Sequence, residues 1–140
     1  MPRWRLELIM RDVNKIILLG RLGADPVQRQ TKSGITVAQL SVATARRVLK
    51  DGIENSAPLG EDSFIEETQW HRVVTWGRQA EVCSQYLKKG NTVYIEGYLK
   101  SRQYEDKNGQ SKLCVEVQAD QVSFLGGPTK SSGEEKPLGL

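Results

Sequence analysis

Trp70, Arg72, Val74 and Trp76 are the residues whose types and spacing define the chemistry open to this chain. In an extended strand successive side chains point to opposite faces, so these four line one side together. Two indoles and a guanidinium on one face are costly to expose and awkward to bury. Every nucleobase has a flat π-face and every nucleotide carries a phosphate, so such a face suits a single nucleic-acid strand. Residues 93–104 repeat the device, one phase reading Tyr94, Glu96, Tyr98, Lys100, Arg102 and Tyr104. Aromatic residues also favour strands for packing alone, and Tyr94 and Tyr98 fit a barrel wall or a subunit contact as well.

The elements that must hold these residues follow from periodicity and breakers. Residues 13–22 are apolar and β-branched with Gly20 and Gly23 interrupting, which predicts a first strand with a bulge or sharp bend. Asp25-Pro26 marks a turn, residues 27–31 a short strand, and Lys32-Ser33-Gly34 a second turn. Residues 36–45 alternate, with Ala38, Leu40, Val42 and Thr44 on one side and Gln39 and Ser41 on the other. Residues 46–67 read as a long polar loop, of the length that is usually functional or disordered. A strand over 68–76 is followed by helical spacing over 78–89, with Val82/Tyr86 and Cys83/Leu87 as i, i+4 pairs and Gly90 as C-cap. Strands over 93–104 and 112–124 flank the hairpin turn Asp106-Lys107-Asn108-Gly109. About five strands and one helix suit a mainly all-β fold, a five-stranded oligonucleotide-binding Greek-key barrel.

With 140 residues the chain fits one domain, and its net charge of +3 is unevenly spread. Residues 52–67 hold five acids (Glu54, Glu61, Asp62, Glu66, Glu67) and no Lys or Arg; with that −5 set aside, the remainder of the +3 chain carries +8. Such a field suits a polyanion, although an ordinary solvated surface has the same appearance. Cys83 and Cys114 are too few for a zinc site and read as reduced packing residues. No metal or cofactor is expected. No apolar run approaches the ~20 residues of a membrane-spanning helix. Residues 1–12 form a basic extension with Arg3, Arg5 and Arg11 around Trp4, Leu6, Leu8 and Ile9: a targeting fragment, a disordered arm, or codons upstream of a start at Met10. Residues 13–125 form the barrel domain, and 126–140, rich in Gly, Pro, Ser and Lys, read as a disordered tail.

Four segments resemble the bacterial and mitochondrial single-stranded DNA-binding protein family. They are Asn14-Lys15-Ile16-Ile17-Leu18-Leu19-Gly20-Arg21-Leu22-Gly23-Ala24-Asp25-Pro26, Thr68-Gln69-Trp70-His71-Arg72-Val73-Val74, Tyr86-Leu87-Lys88-Lys89-Gly90 and Val93-Tyr94-Ile95-Glu96-Gly97. The likeness runs in register over residues 13–125. It implies a barrel that assembles as a homo-oligomer, usually a tetramer, and binds single strands without sequence readout in replication, recombination and repair. It implies base stacking at Trp70, Trp76 and Tyr104, positions where members often carry Phe for Trp76 and Trp for Tyr104. Val48, within Ala45-Arg46-Arg47-Val48, stands where the family has a tryptophan, so one platform is expected to be missing, offset by Arg46, Arg47 and Lys50. The sequence stops at Glu134-Glu135-Lys136-Pro137-Leu138-Gly139-Leu140 without the acidic Pro-Phe tip through which bacterial members recruit partners. Either it is truncated there or it is of a type without the tip, as mitochondrial members are, and tail-mediated recruitment of replication and repair partners is not part of the expectation. Bacterial-type motifs imply a cytoplasmic, nucleoid-associated location. The Arg-rich start and the absent tip make the mitochondrial matrix the alternative.

His71 is the single histidine, with no nucleophile or carboxylate constellation around it, and the resemblance places it at a subunit contact. Candidate phosphate contacts are Lys15, Arg21, Arg29, Arg72, Arg78, Lys89, Lys100 and Arg102, with Arg72, Lys89 and Arg102 foremost. Gly20, Gly34, Gly90 and Gly97 read as backbone requirements, and no P-loop or dinucleotide fingerprint is present. The competing readings are an RNA-binding or primosome-type barrel and a protein-binding adaptor. A hydrolase lacks the paired carboxylates or metal ligands it needs.

Overall fold

The computed structural model describes residues 12–50 and 59–127. The basic extension up to residue 11, residues 51–58 of the predicted polar loop and the tail from residue 128 lie outside the described residues. The elements run β1 (Ile16–Leu22), β2 (Val27–Gln30), β3 (Thr36–Leu49), a single 3₁₀ turn (Glu61–Ser63), β4 (Phe64–Trp76), α1 (Gly77–Tyr86), β5 (Thr92–Glu105) and β6 (Ser111–Gly126). In space the strands follow the order β1-β5-β6-β4-β3-β2, and a β1–β3 pairing at Arg21–Ala43 and Leu22–Val42 closes five of them into a barrel. β2 is left on the outer edge of β3. All pairings are antiparallel except β4–β6, which is parallel. This is the five-stranded barrel with one helix that the strand spacing predicts.

Strand alternation delivers the core. Leu40 and Val42 of β3, Val73 of β4, Val93 and Ile95 of β5, Val117 of β6 and Leu18 and Leu22 of β1 form one buried cluster. Cys83 of α1 and Leu87 just beyond it join that cluster, so the helix plugs one end of the barrel. Burial pushes the Cys83 thiol up to about 11, which keeps it a neutral packing group, as expected.

β1 turns from β5 to β3 within three residues, and Gly20 sits at that crossing, where a Cβ would run into the Ala43 carbonyl. The bend expected of the first strand is therefore a close strand approach. Gly97 plays the same part in β5, where a Cβ would meet the Gln118 carbonyl beside the register shift at Glu96/Gly97.

Two predicted boundaries are corrected. Residues 46–49 and 64–67 are not loop: β3 and β4 continue as a ladder through Arg46–Glu67, Arg47–Glu66, Val48–Ile65 and Leu49–Phe64. Across this extension the apolar pairs Val48–Ile65 and Leu49–Phe64 face each other, Arg46 and Arg47 stand opposite acids, and the Arg47 guanidinium lies over the Phe64 ring, a cross-strand complementarity that one-dimensional polarity hides. The helix ends at Tyr86, not Lys89. Leu87 turns to extended backbone, accepts burial, and its N–H donates to the Cys83 carbonyl at 3.0 Å. Of the two predicted helical pairs, Cys83/Leu87 is buried while Tyr86 is exposed. Gly90 is accordingly no helix cap. With φ of +92° it shapes the turn at residues 88–91, and its N–H donates to the Leu22 carbonyl at 2.9 Å.

The β5–β6 hairpin matches its prediction. The Asp106 carboxylate accepts from the Asn108 and Gln110 amides at 2.9 Å each, and Gly109 has a φ of +79°. The tight approach at Gly97 makes a direct prediction. Gly97→Ala should lower stability by about 1–3 kcal/mol, as overpacking does, whereas Gly60→Ala, which meets nothing within 4 Å, should change little. Urea denaturation midpoints of the two variants test this, and equal midpoints would contradict the close β5–β6 approach.

Candidate nucleic-acid interface

β4 and β6 are hydrogen-bonded neighbours only around Val73–Val117 and Val74–Gln118. Beyond that, the β3–β4 arm and the β5–β6 hairpin lose each other as partners, and a groove opens between them. Register then places the candidate side chains row by row on the outer surface. Gln39 of β3 stands beside Val74, Gln118 and Tyr98. The next row towards the tips begins Ser41–Arg72, and the Glu116–Lys100 pair stands at the same level of the hairpin. A third holds Arg21, Ala43 and Trp70, with Cys114–Arg102 across the groove. Tyr104, opposite Lys112, lies farthest out. Alternation thus gathers β1, β3, β4, β5 and β6 onto one continuous face.

The rings on this face are open: Trp70 is 60 % exposed, Trp76 46 % and Tyr104 45 %. Their orientations are held from below. The six-membered edge of the Trp70 indole lies where a Cβ on Gly23 would be, so the absence of a side chain at Gly23 seats the ring. Trp76 Nε1 donates to Gln118 Oε1 at 2.7 Å, satisfying the indole N–H while leaving the π-face free. Val74, between the two indoles in sequence, is buried and serves as packing.

Arg72 is the hinge of the site. It lines a groove of about 540 Å³ with Arg102, Tyr104, Leu113, Cys114 and Val115. It also lines a second, of about 330 Å³, with Trp70, His71 and Ser41. A single guanidinium therefore borders both the Trp70 and the Tyr104 surfaces. Its Nη1 lies 3.6 Å from Cys114 Sγ, a weak contact for so strong a donor.

Other candidates are placed less simply. Arg102 Nη2 lies 3.4 Å from Glu116 Oε2, and that buried carboxylate pushes the guanidinium pKa further up. Arg102 therefore faces the groove with part of its field already spent on Glu116. Lys15 Nζ is 3.3 Å from Glu96 Oε1 on the β1–β5 wall. The Tyr94 hydroxyl, donating to Glu96 at 2.6 Å, and Lys15 together hold the Glu96 carboxyl below its usual range. Lys100 is exposed on the hairpin. Arg78 pairs with Glu81 at 3.5 Å on the first turn of α1, next to Trp76. Lys89 stands on the turn tied to the loop after β1, its amide donating to Asp25 Oδ1 at 2.8 Å, close to the Gly23 seat of Trp70. Arg29 is exposed on the edge strand β2.

Arg46 and Arg47 do not act together. Arg47, opposite Glu66, shares the Trp70 face, whereas Arg46, opposite Glu67, is on the reverse. Val48 lies on the reverse with Arg46, so its side of the arm is not the one that carries Trp70. His71 is half-buried on the core-side phase of β4, its Nε2 2.9 Å from Thr44 Oγ1. Cys114 corrects another expectation, since it lines the groove beside Arg72 rather than packing the interior. Gln118 and Gly23 escaped sequence reasoning because neither carries ring or charge; only register and proximity reveal what they hold. Among the described residues no group of three or more His, Cys, Asp or Glu is placed to hold a metal ion.

A closed five-stranded barrel presenting open rings and guanidinium groups across one face is an oligonucleotide-binding module. Residues 13–125 match the single-strand binding protein family, and the chain belongs to it. Single-stranded DNA-binding protein 1 of Chlorobaculum tepidum is 40% identical over 124 residues, covering 88% of this chain and 71% of that one. Among solved structures, the Plasmodium falciparum SSB complex with ssDNA superposes with a TM-score of 0.70 at 29% identity, covering 84% of this chain and 99% of that one. A deletion mutant of the single-stranded DNA binding protein from Thermus aquaticus gives a TM-score of 0.66 at 30% identity, over 82% of this chain and 51% of that one.

The Gly23 seat yields a test that needs no ligand. Gly23→Ala should displace the Trp70 ring, changing the near-ultraviolet circular dichroism while the far-ultraviolet spectrum stays the same. An unaltered aromatic signal would show that the indole does not rest there.

Proposed function

We propose that this protein binds single-stranded DNA without sequence preference, covering exposed strands during replication, recombination and repair. It is a binding protein, not an enzyme. The observation that carries this reading is the position of Arg72 between Trp70 and Tyr104, with grooves on both sides. Bases stack on Trp70, Trp76 and Tyr104, and Arg72 takes the phosphate between stacked positions. Arg47, Lys89 and Lys100 supply further positive field, as does Arg21 in the row of Trp70, and Arg102, Lys15 and Arg78, each beside a carboxylate, contribute less. Stacking tolerates any base, so affinity should not follow sequence. The relation to a solved complex with ssDNA supports the same ligand class.

Tryptophan fluorescence during titration with oligothymidylate tests the reading. Saturable quenching is expected, with affinity falling as salt rises at about −0.7 in log–log slope per phosphate neutralised. Trp70→Ala should cost about 1–3 kcal/mol of binding. An unchanged affinity for that variant would remove the assigned face.

Several copies share one strand in this proposal, as a homotetramer. Ile17 and Leu19 of β1 are more than half exposed on the outer wall, an apolar surface that a second copy would cover. We assign His71 to the support of that assembly through its bond to Thr44. His71→Tyr should dissociate the oligomer on dilution before it weakens binding by the separated subunits. Light scattering across a dilution series checks it, and a constant mass would refute it. The likeness to a bacterial relative favours the cytoplasmic, nucleoid-associated location over the mitochondrial matrix.

A further inference from the structure

The β3–β4 arm carries one more ring on the Trp70 side. Directly opposed residues of an antiparallel pair share a face, so Ala43–Trp70, Ala45–Thr68, Arg47–Glu66 and Leu49–Phe64 all lie on one surface. Phe64 is therefore in line with Trp70, six residues away along β4, about 20 Å at 3.3 Å per residue. It is only half-buried and belongs to no part of the barrel core. The Arg47 guanidinium carbon lies over its ring, 4.7 Å from the centroid. A ring and a guanidinium side by side are also what Trp70 and Arg72 bring to the groove they line together.

We propose that Phe64, with Arg47 laid over it, is an additional base-stacking subsite that carries the single strand from Trp70 outward along the β3–β4 arm. The occupant is a nucleobase of the same DNA strand, and the inference rests on the single-strand binding proposed above. Continuity of face with Trp70 supplies the path. The local charge argues that the ring, rather than a general positive field, is the main attraction, because Glu66 stands on the same face opposite Arg47. Arg47 is nonetheless more than 4 Å from any carboxylate among the described residues, its head lying on Phe64 instead. Its long, exposed side chain yields the ring to a base and turns to the phosphate that the base brings. That phosphate is then offset against Glu66 by Arg47 alone. The subsite also explains where stacking on this arm can occur, given that Val48 lies on the opposite face.

Oligothymidylates of increasing length, titrated into the full chain and into Phe64→Leu, Phe64→Trp and Arg47→Ala, test the subsite. Leu keeps apolar bulk without a π-face, and Trp keeps the π-face. For the shortest oligomers that bind, all variants should match the wild type. Beyond a threshold length Phe64→Leu should bind about 5- to 10-fold more weakly, and Phe64→Trp should retain wild-type affinity or better. Arg47→Ala should lose about 0.7 from the salt slope on the same long oligomers. A Leu variant equal to wild type at every length overturns the subsite and leaves the binding function standing. A Leu deficit already present at the shortest length, or a Trp variant as weak as Leu, also overturns it, because both report damage to the arm rather than a lost platform. Failure of the wild type itself to bind would remove the underlying function.

Discussion

The link between β4 and β6 in the barrel consists of two residue pairs, Val73–Val117 and Val74–Gln118, where the strands run parallel. On one side of that seam the strands share the buried cluster of Leu40, Val42, Ile95 and Val117. On the other side, the two hairpins part and become arms. The groove holding Arg72 exists because the strands separate there, and Trp76 is anchored at the seam by its bond to Gln118. A longer β4–β6 ladder would bury Arg72 and Cys114 between strands. A shorter one would open the core. Binding surface and stability are therefore set by the same short contact.

The outer face is a compromise between stability and availability. Trp70 and Trp76, the rings to which the proposed function gives base stacking, stay open to solvent rather than joining the core. Each is fixed at the edge of its ring: Trp70 by the gap at Gly23, Trp76 by Gln118. Fixing a ring in advance reduces the ordering cost when a base arrives. Charge is treated the same way. Buried Glu116 stands beside Arg102 and half-buried Glu96 beside Lys15, so these cations are held in place by carboxylates that also weaken their field. Arg72 is different: among the described residues its head group has the Cys114 thiol as its hydrogen-bond partner and no ion pair, which is why the proposed interface assigns it a phosphate.

Much of this was legible from residue order alone. The alternation at 36–45 and 70–76, the Asp106–Gly109 turn and the Cys83/Leu87 helical pair all reappear, because each depends on a local period or a local turn geometry. The errors have a common cause. Residues 46–49 and 64–67 look like loop one strand at a time; they become a ladder because each segment finds its partner in the other, with Val48 opposite Ile65, Leu49 opposite Phe64 and Arg47 laid over the Phe64 ring. Likewise the helical pattern continues past Tyr86, but Leu87 gains more from burial beside β1 than from another helical turn.

Residue types and their two-residue period decide that rings and guanidinium groups share one side of β4 and of β5, since a strand's pleat is a local property. That pointed to a nucleic-acid strand and a small barrel, and the resemblance over residues 13–125 carried the reading to single-stranded DNA. Which rings stand near which cations was decided in three dimensions. Register across β1, β3 and β4 brings Gly23 and Arg21 to Trp70, and register across β4, β5 and β6 brings Gln118 to Trp76 and Arg102 to Arg72. It also separates Arg46 from Arg47 and lines Phe64 up with Trp70. Such pairings join residues tens of positions apart, and no local period encodes them. They depend on the closure of the barrel, which only the packed core imposes.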